Sequence, residues 1–340
     1  MSGRPVVSVI TPTKNRLRLL CETMDSVAAQ SFDAWEHLIV DDGSDDGTAE
    51  EVARRAAADL RIRYIQRTGG KPGANVCRNL GISQSQADLI IFLDSDDLLA
   101  PGSLARRVAV MERNEDLDFV TFQTGVFQNT PGDLGRQLDP ELIGDDLLRF
   151  LFLECPWQTT APTWRRSALD RLGGFDESML SWQDVDLHIR AVAGHMKYLR
   201  FPEVDHHMRW VQDSCRTSAL QRSSPQHLKA AQAILEKFED VVWVSAGMNW
   251  VRQRALCSLY FFVSENWVRS GDLWSALGAW QNVRTRKLGG PALTVMGSWM
   301  LIIRRAFPNS DLAERLVNKW KGWMRLRTNP ALLKKSRDRD

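Results

Sequence analysis

The chain has 340 residues, 44% of them apolar and 25% charged, with a formal net charge of +2. This is the composition of an ordinary globular protein of about two domains, and it excludes a disordered or fibrous chain. The near-neutral total hides an asymmetry: residues 1–204 hold 22 Lys and Arg against 31 Asp and Glu, whereas residues 205–340 hold 22 against 11 and nine of the 13 Trp. An acidic first part fits a metal and a polar substrate; a basic second part fits an anionic surface. The five Cys are scattered without a CxxC pair, which argues against zinc and a disulfide framework and fits a reducing cytosol. The first residues lead straight into a short strand, so no signal peptide is expected.

In chain order, Val6–Ile10 reads as a short strand broken at Thr11-Pro12-Thr13. Asn15 is a candidate cap for a helix to about Gln30, with Leu17, Leu20, Met24 and Val27 on one side. Trp35–Val40 is a second strand, ending in Asp41-Asp42-Gly43-Ser44, and Asp45 or Asp46 opens a helix to about Ala58. Ile62–Gln66 is a third strand, followed by a Gly-rich loop with Lys71 and a helix from Ala74. Strands alternating with helices imply an α/β fold whose strand ends gather Thr11, Asp41, Asp42, Asp94 and Asp96 on one edge.

Leu89–Leu93 reads as a strand buried on both faces, and it runs into Asp94-Ser95-Asp96-Asp97. Three carboxylates in four residues repel one another unless a cation sits among them, and a hard divalent ion, Mg²⁺ or Mn²⁺, takes oxygen ligands. The plain alternative is an acidic turn in which Asp97 or Ser103 caps the next helix. Further strands are expected at Phe119–Phe127, 197–201 and 204–211, a loop at 129–146 and a helix at Leu147–Leu153. Gly173-Gly174-Phe175-Asp176 reads as a tight turn, and a helix opens at Trp182-Gln183-Asp184-Val185-Asp186 and runs to Ala193. From about Pro225 the pattern is helical throughout: 226–244, 248–269, 272–287, 291–306 and 310–326.

Six segments together resemble family 2 glycosyltransferases, inverting enzymes of the GT-A fold that use nucleotide sugars. They are Val6–Asn15; Trp35–Thr48; Gly73–Ile82 with its Cys77-Arg78-Asn79; Phe92–Asp97; Gly173–Glu177; and Gln183–Leu187. Each is weak alone, but six in the family's order over residues 5–215 are specific. The resemblance implies a mixed, mainly parallel sheet flanked by helices in a catalytic domain over 1–220; the helical pattern beyond it marks a basic, Trp-rich helical domain over 225–330, and the terminal residues 331–340 are expected to be disordered. It places Thr11, Pro12 and Thr13 at a uracil base, with Asp42 accepting from the base N3–H and Asp41 beside it. Lys71, Arg78 and Arg209 are expected at the diphosphate, Asp94 at the ribose and metal, and Asp96 at the metal. His207 is a candidate to complete the metal set. Asp184 matches the catalytic base, although the family's preceding Glu is Gln183 here, and Asp186 is its near competitor. Arg209-Trp210 is similar to the end of a processive-synthase signature whose leading Gln is missing, so transfer of single sugars is favoured.

The implied donor is a UDP-sugar, the acceptor a saccharide or a lipid-linked saccharide, and the location the cytoplasm, at the inner face of the membrane if the tail binds it. A non-catalytic, nucleotide-binding scaffold subunit is the alternative, favoured by Gln183. Trp157, Trp164 and Trp182 serve either as sugar-stacking faces or as core. Residues 290–327 join an apolar run to Arg304-Arg305 and to a stretch of Trp, Lys and Arg. Two readings stand open for them: a peripheral membrane face, or a bundle packed on the catalytic domain with Trp in its core. No nucleic-acid-binding motif accompanies the basic residues, so no nucleic acid partner is expected.

Overall fold

A computed structural model describes residues 4–138, 144–210 and 224–326. The strands are β1 Val7–Thr13, β2 Trp35–Asp41, β3 Ile62–Gln66, β4 Leu89–Phe92, β5 Leu98–Leu99, β6 Phe119–Phe127, β7 Arg136–Gln137, β8 Pro162–Arg165 and β9 Tyr198–Arg209. They form one sheet in the order β3-β2-β1-β4-β8-β6-β9-β5, with β7 on β6. The pairs β1–β2, β1–β4, β2–β3 and β6–β9 are parallel, while β8 runs antiparallel between β4 and β6. The sheet is therefore mixed and mainly parallel, as expected, because only β5, β7 and β8 reverse direction.

The short β-branched strands are buried on both faces, and their alternation sorts the core. Val7, Val9, Ile39, Leu89 and Ile91 face Leu20 and Met24 of α1 (Leu17–Ala28), Val52 of α2 (Thr48–Ala58) and Leu104 and Val108 of α4 (Ser103–Arg113). Ile10, Leu38, Ile90 and Phe92 face the other layer: Cys77 of α3 (Ala74–Gln84), Phe150 of α5 (Asp146–Leu151), Leu169 of α6 (Arg166–Leu172) and Leu187 of α7 (Gln183–Ala193).

This second core continues without a break into five helices: α8 Pro225–Val241, which ends in a π-helical turn over Val242–Ala246, α9 Trp250–Arg269, α10 Leu273–Thr285, α11 Pro291–Ala306 and α12 Asp311–Leu326. Each matches its expected range within about three residues, the usual scatter of helix ends. Ser270-Gly271 joins α9 to α10 with Gly271 at φ 94°, and Asp272 caps α10 by accepting from Ser275 N at 2.9 Å. The bundle reading holds for part of the Trp set, since Trp267, Trp280 and Trp320 are buried, but Trp243, Trp250, Trp274 and Trp299 are exposed. Among the described residues no helix is long and apolar enough to cross a membrane.

Several local expectations need correction. Asn15 does not cap α1: its side chain accepts from Asp45 N, and Leu17 N donates instead to Asp46 Oδ2 at 2.9 Å across the second loop. Neither Asp97 nor Ser103 caps α4, which follows Gly102 at φ 71°. The two strands expected around 197–211 are one, β9, whose register against β6 shifts near Gln123; Val211 and the tail from 327 lie outside the described residues. Helix α6 was not expected. It follows β8 directly, with no Gly or Pro to mark the join, and ends at Gly173 in the left-handed region.

Candidate active site

The carboxyl ends of β1, β2 and β4 lie side by side because these strands are in parallel register: Thr13 pairs with Asp41, and Ile10 with Phe92. At the edge expected to hold the nucleobase, Thr11 is fully buried with its hydroxyl bonded to His37 Nε2 at 2.9 Å, so its side chain is committed to the core. Burial lowers the His37 pKa to about 3 and keeps that ring neutral. Pro12 is buried beside it, and Thr13 leaves its hydroxyl buried without a hydrogen-bond partner among the described residues. Asp41 is saturated: Oδ1 accepts from Ser44 N at 3.0 Å and Ser44 Oγ at 2.6 Å, and Oδ2 accepts from Tyr64 OH at 2.8 Å. Asp42 pairs with Arg67 Nε, and the same guanidinium donates to Gly69 O. Asp41 thus shapes the turn and Asp42 is the carboxylate at its mouth. Arg67 was missed by the sequence reading, although its place directly after β3 puts it on this edge.

Beyond β4, Asp94 Oδ1 pairs with Arg78 Nη2 at 2.7 Å and Asp96 Oδ2 with Arg16 Nη1 at 2.8 Å. Burial raises the Asp96 pKa and the charge of Asp94 adds to this, while Arg16 opposes it. Arg16, next to the expected cap Asn15, was also missed. Asp97 is buried and accepts from Arg209 N at 3.1 Å and Thr160 Oγ1 at 3.3 Å, so it is structural in another way than as a cap. Burial and its acidic neighbours raise its pKa well above the usual range.

Arg209 is committed to the scaffold: Nε donates to Asp96 O at 3.1 Å, Nη2 pairs with Glu22, and the guanidinium lies 4.5 Å from the Phe127 ring centroid. His207 shares its face of β9 but packs on Gly125 and Phe127, its Nδ1 buried without a hydrogen-bond partner. Among the described residues no group of three or more His, Cys, Asp and Glu stands close enough to hold a metal, so His207 is not gathered with Asp94 and Asp96. Those two carboxylates still form a hard, all-oxygen donor pair at the sheet edge, each facing a guanidinium, and that donor chemistry fits Mg²⁺ or Mn²⁺. Lys71 is exposed on its loop and makes no contact with this cluster.

Asp184 sits in the first turn of α7, half-buried, with Oδ1 accepting from Val185 N at 2.9 Å. Burial raises its pKa, Arg78 pulls the other way, and Asp94 adds to the rise. Those two influences place Asp184 within electrostatic reach of the Arg78–Asp94 pair. The competitor Asp186 is fully buried and already paired with Arg190 at 2.8 Å and Lys237 at 2.7 Å, which removes it as a base. Trp182 precedes the helix at φ 56°, a costly conformation for a bulky residue, and packs on Phe238 and Phe262 of the helical part. Trp157 and Trp164 are core residues.

Residues 8–173 match the family description "Glycosyl transferase family 2", a span that ends before Asp184. TuaG of Bacillus subtilis (strain 168), a glycosyltransferase named for teichuronic acid biosynthesis, is 34% identical over 155 residues, 45% of this chain and 60% of TuaG. A Campylobacter jejuni GalNAc(5)-diNAcBac-PP-undecaprenol beta-1,3-glucosyltransferase is 38% identical over 101 residues, 30% of this chain and 33% of that enzyme. The chain thus spans less than two thirds of these relatives. Among solved structures, residues 1–349 of S. aureus TarS superpose with a TM-score of 0.60 at 17% identity, covering 88% of this chain and 87% of that one. The same fragment in complex with UDP-GlcNAc gives 0.57 at 13% identity, covering 90% and 93%. The six ordered segments, the mixed sheet and these likenesses agree: residues 8–173 match glycosyl transferase family 2, and the chain has the GT-A fold.

Proposed function

We propose that the protein is a glycosyltransferase of glycoconjugate or polysaccharide assembly that moves a sugar from a UDP-sugar to an acceptor hydroxyl with inversion. The observation that carries this reading is Asp184: a half-buried carboxylate with a raised pKa, at the start of a helix and within electrostatic reach of the Arg78–Asp94 pair. Inversion needs one in-line displacement, so a base must accept the acceptor's proton on the side away from the leaving diphosphate. Asp184 is suited to that, because burial makes its carboxylate more basic than one in water.

In this reading Asp42, steered by Arg67, accepts the N3–H of uracil, and the unpartnered Thr13 hydroxyl lies beside the base. Asp94 takes the ribose. Arg78 and Arg16, both held on carboxylates at the sheet edge, are the guanidinium groups within reach of a diphosphate, with Lys71 on the adjoining loop. A divalent ion held by Asp94 and Asp96 would supply charge neutralisation at the leaving diphosphate. Support for the nucleotide comes from the TarS complexes with UDP-GlcNAc and UDP, and support for the metal from a Pyrobaculum calidifontis mannosyltransferase in complex with GDP-Man and Mn²⁺, at a TM-score of 0.50. The named lipid-linked substrate of the Campylobacter relative supports a saccharide carried on a lipid as acceptor.

The test is a panel of nucleotide sugars with Mn²⁺, read by thermal shift, followed by turnover of the one that binds. A UDP-sugar should raise the unfolding temperature by mass action. Asp184→Asn should keep that shift and lose about 10²–10⁴-fold in turnover. Unchanged turnover in Asp184→Asn overturns the assigned base, and binding without transfer to any acceptor favours a scaffold subunit.

A further inference from the structure

Helix α11 is apolar on two faces. Its inward face holds Leu293, Thr294, Gly297 and Leu301: Trp280 Nε1 donates to Thr294 O at 2.7 Å, and a Cβ on Gly297 would meet the Trp280 ring at 2.3 Å, so the contact requires glycine. Its outward face is Ala292, Val295, Met296, Trp299 and Ile302, spaced three and four apart, and Phe307 follows the helix. Val295 is 56% exposed, Trp299 59% and Phe307 60%. A helix at the surface of a water-soluble bundle turns polar residues outward, and this one turns out an apolar strip about 24 Å long along its 16 residues.

The strip is framed by cations. Arg284 and Lys287 precede α11, Arg305 ends it, and Arg315 and Lys319 project from α12, all exposed and without a carboxylate partner among the described residues. The nearby carboxylates are fewer: Asp311 is exposed, and Glu314 faces Arg304 at 3.9 Å. A central tryptophan, an apolar strip too short to span a bilayer and a basic surround are the features of a helix lying in the headgroup layer of an anionic membrane. We infer that the outward face of α11 docks the protein onto anionic phospholipid. This goes beyond the sugar-transfer reading and does not depend on it.

The experiment uses the full chain and two kinds of vesicle, phosphatidylcholine alone and phosphatidylcholine mixed with phosphatidylglycerol, with binding followed by co-sedimentation. The protein should pellet with the mixed vesicles, less so as salt rises, and hardly with phosphatidylcholine. The pair Val295→Glu and Trp299→Glu should weaken binding at least about tenfold, and Lys287→Glu with Arg305→Glu should weaken it on the mixed vesicles. All four positions are exposed, so unfolding temperature and nucleotide binding should stay unchanged in both variants, which separates this result from misfolding. Undiminished pelleting of the Val295/Trp299 variant, or no binding to mixed vesicles, overturns the inference. So does a dimer in sedimentation velocity that the same variant dissociates, because the face would then belong to a second copy of the chain.

Discussion

Three carboxylates at the open sheet edge are each held by an arginine: Asp42 by Arg67, Asp94 by Arg78 and Asp96 by Arg16. Asp184 is felt by Arg78 but not bound to it, and burial dominates its titration. The sign of its pH dependence follows. The proposed base works deprotonated, its folded pKa lies above the ordinary carboxylate value, and kcat should therefore fall as pH drops through that raised pKa. Replacing Arg78 by Leu removes the cation that lowers the Asp184 pKa, so the acid limb of the kcat profile should move to higher pH. Asp94→Asn removes a charge that raises it and should move the limb down. A limb that stays in place in both variants would show that another group titrates. The carboxylates could be named from the sequence because three or four acids at a strand end are conspicuous. The arginines that hold Asp42 and Asp96 could not, because 44 Lys and Arg are spread along the chain and only the fold selects Arg16 and Arg67.

The N-terminus of α7 is secured from outside the sheet. Lys237 of α8 reaches Asp176 and Asp186, each at 2.7 Å, and so clamps the Gly173–Asp176 turn and the first turn of α7 around Asp184. Burial pushes the Asp176 pKa up, but hydrogen bonds from Lys237 and Ser178, with the charge of Lys237, hold it down at about 2. Trp182, wedged between Phe238 and Phe262, fixes the strained residue that leads into the helix. Lys237→Met should lower kcat by about 10–100-fold through misplacement of the proposed base Asp184, with the donor KM little changed. It should also cost about 1–3 kcal/mol of stability, since buried Asp186 keeps only Arg190. Lys237→Arg should recover most of the rate, and an equal loss in both variants would make the role one of fold stability alone. Nothing in the sequence linked Lys237 to Asp184, because the link spans more than fifty residues and two layers of the fold.

Taken whole, the molecule shares one core between its two parts. Phe238, Leu256 and Trp280 belong to the same apolar cluster as Phe92, Trp157 and Leu187. Truncation after residue 224 would uncover that face and the acidic partners of Lys237. The shortened chain should aggregate or lose its cooperative transition, whereas the full chain should unfold in one step by calorimetry. A soluble, cooperatively folding fragment would show instead that residues 1–220 and 225–330 are separable domains.

The sequence by itself determined the alternation of strands and helices, the ranges of the five final helices and the carboxylates of the edge. These are set by local periodicity and by residue type, which are visible in one dimension. Only the tertiary structure decided the antiparallel insertion of β8, the commitment of Arg209 and Asp97 to the scaffold, the separation of His207 from the acidic pair and the outward turn of the α11 apolar face. Each depends on which distant segment comes to lie against a residue, and the spacing of that residue's own neighbours does not specify it.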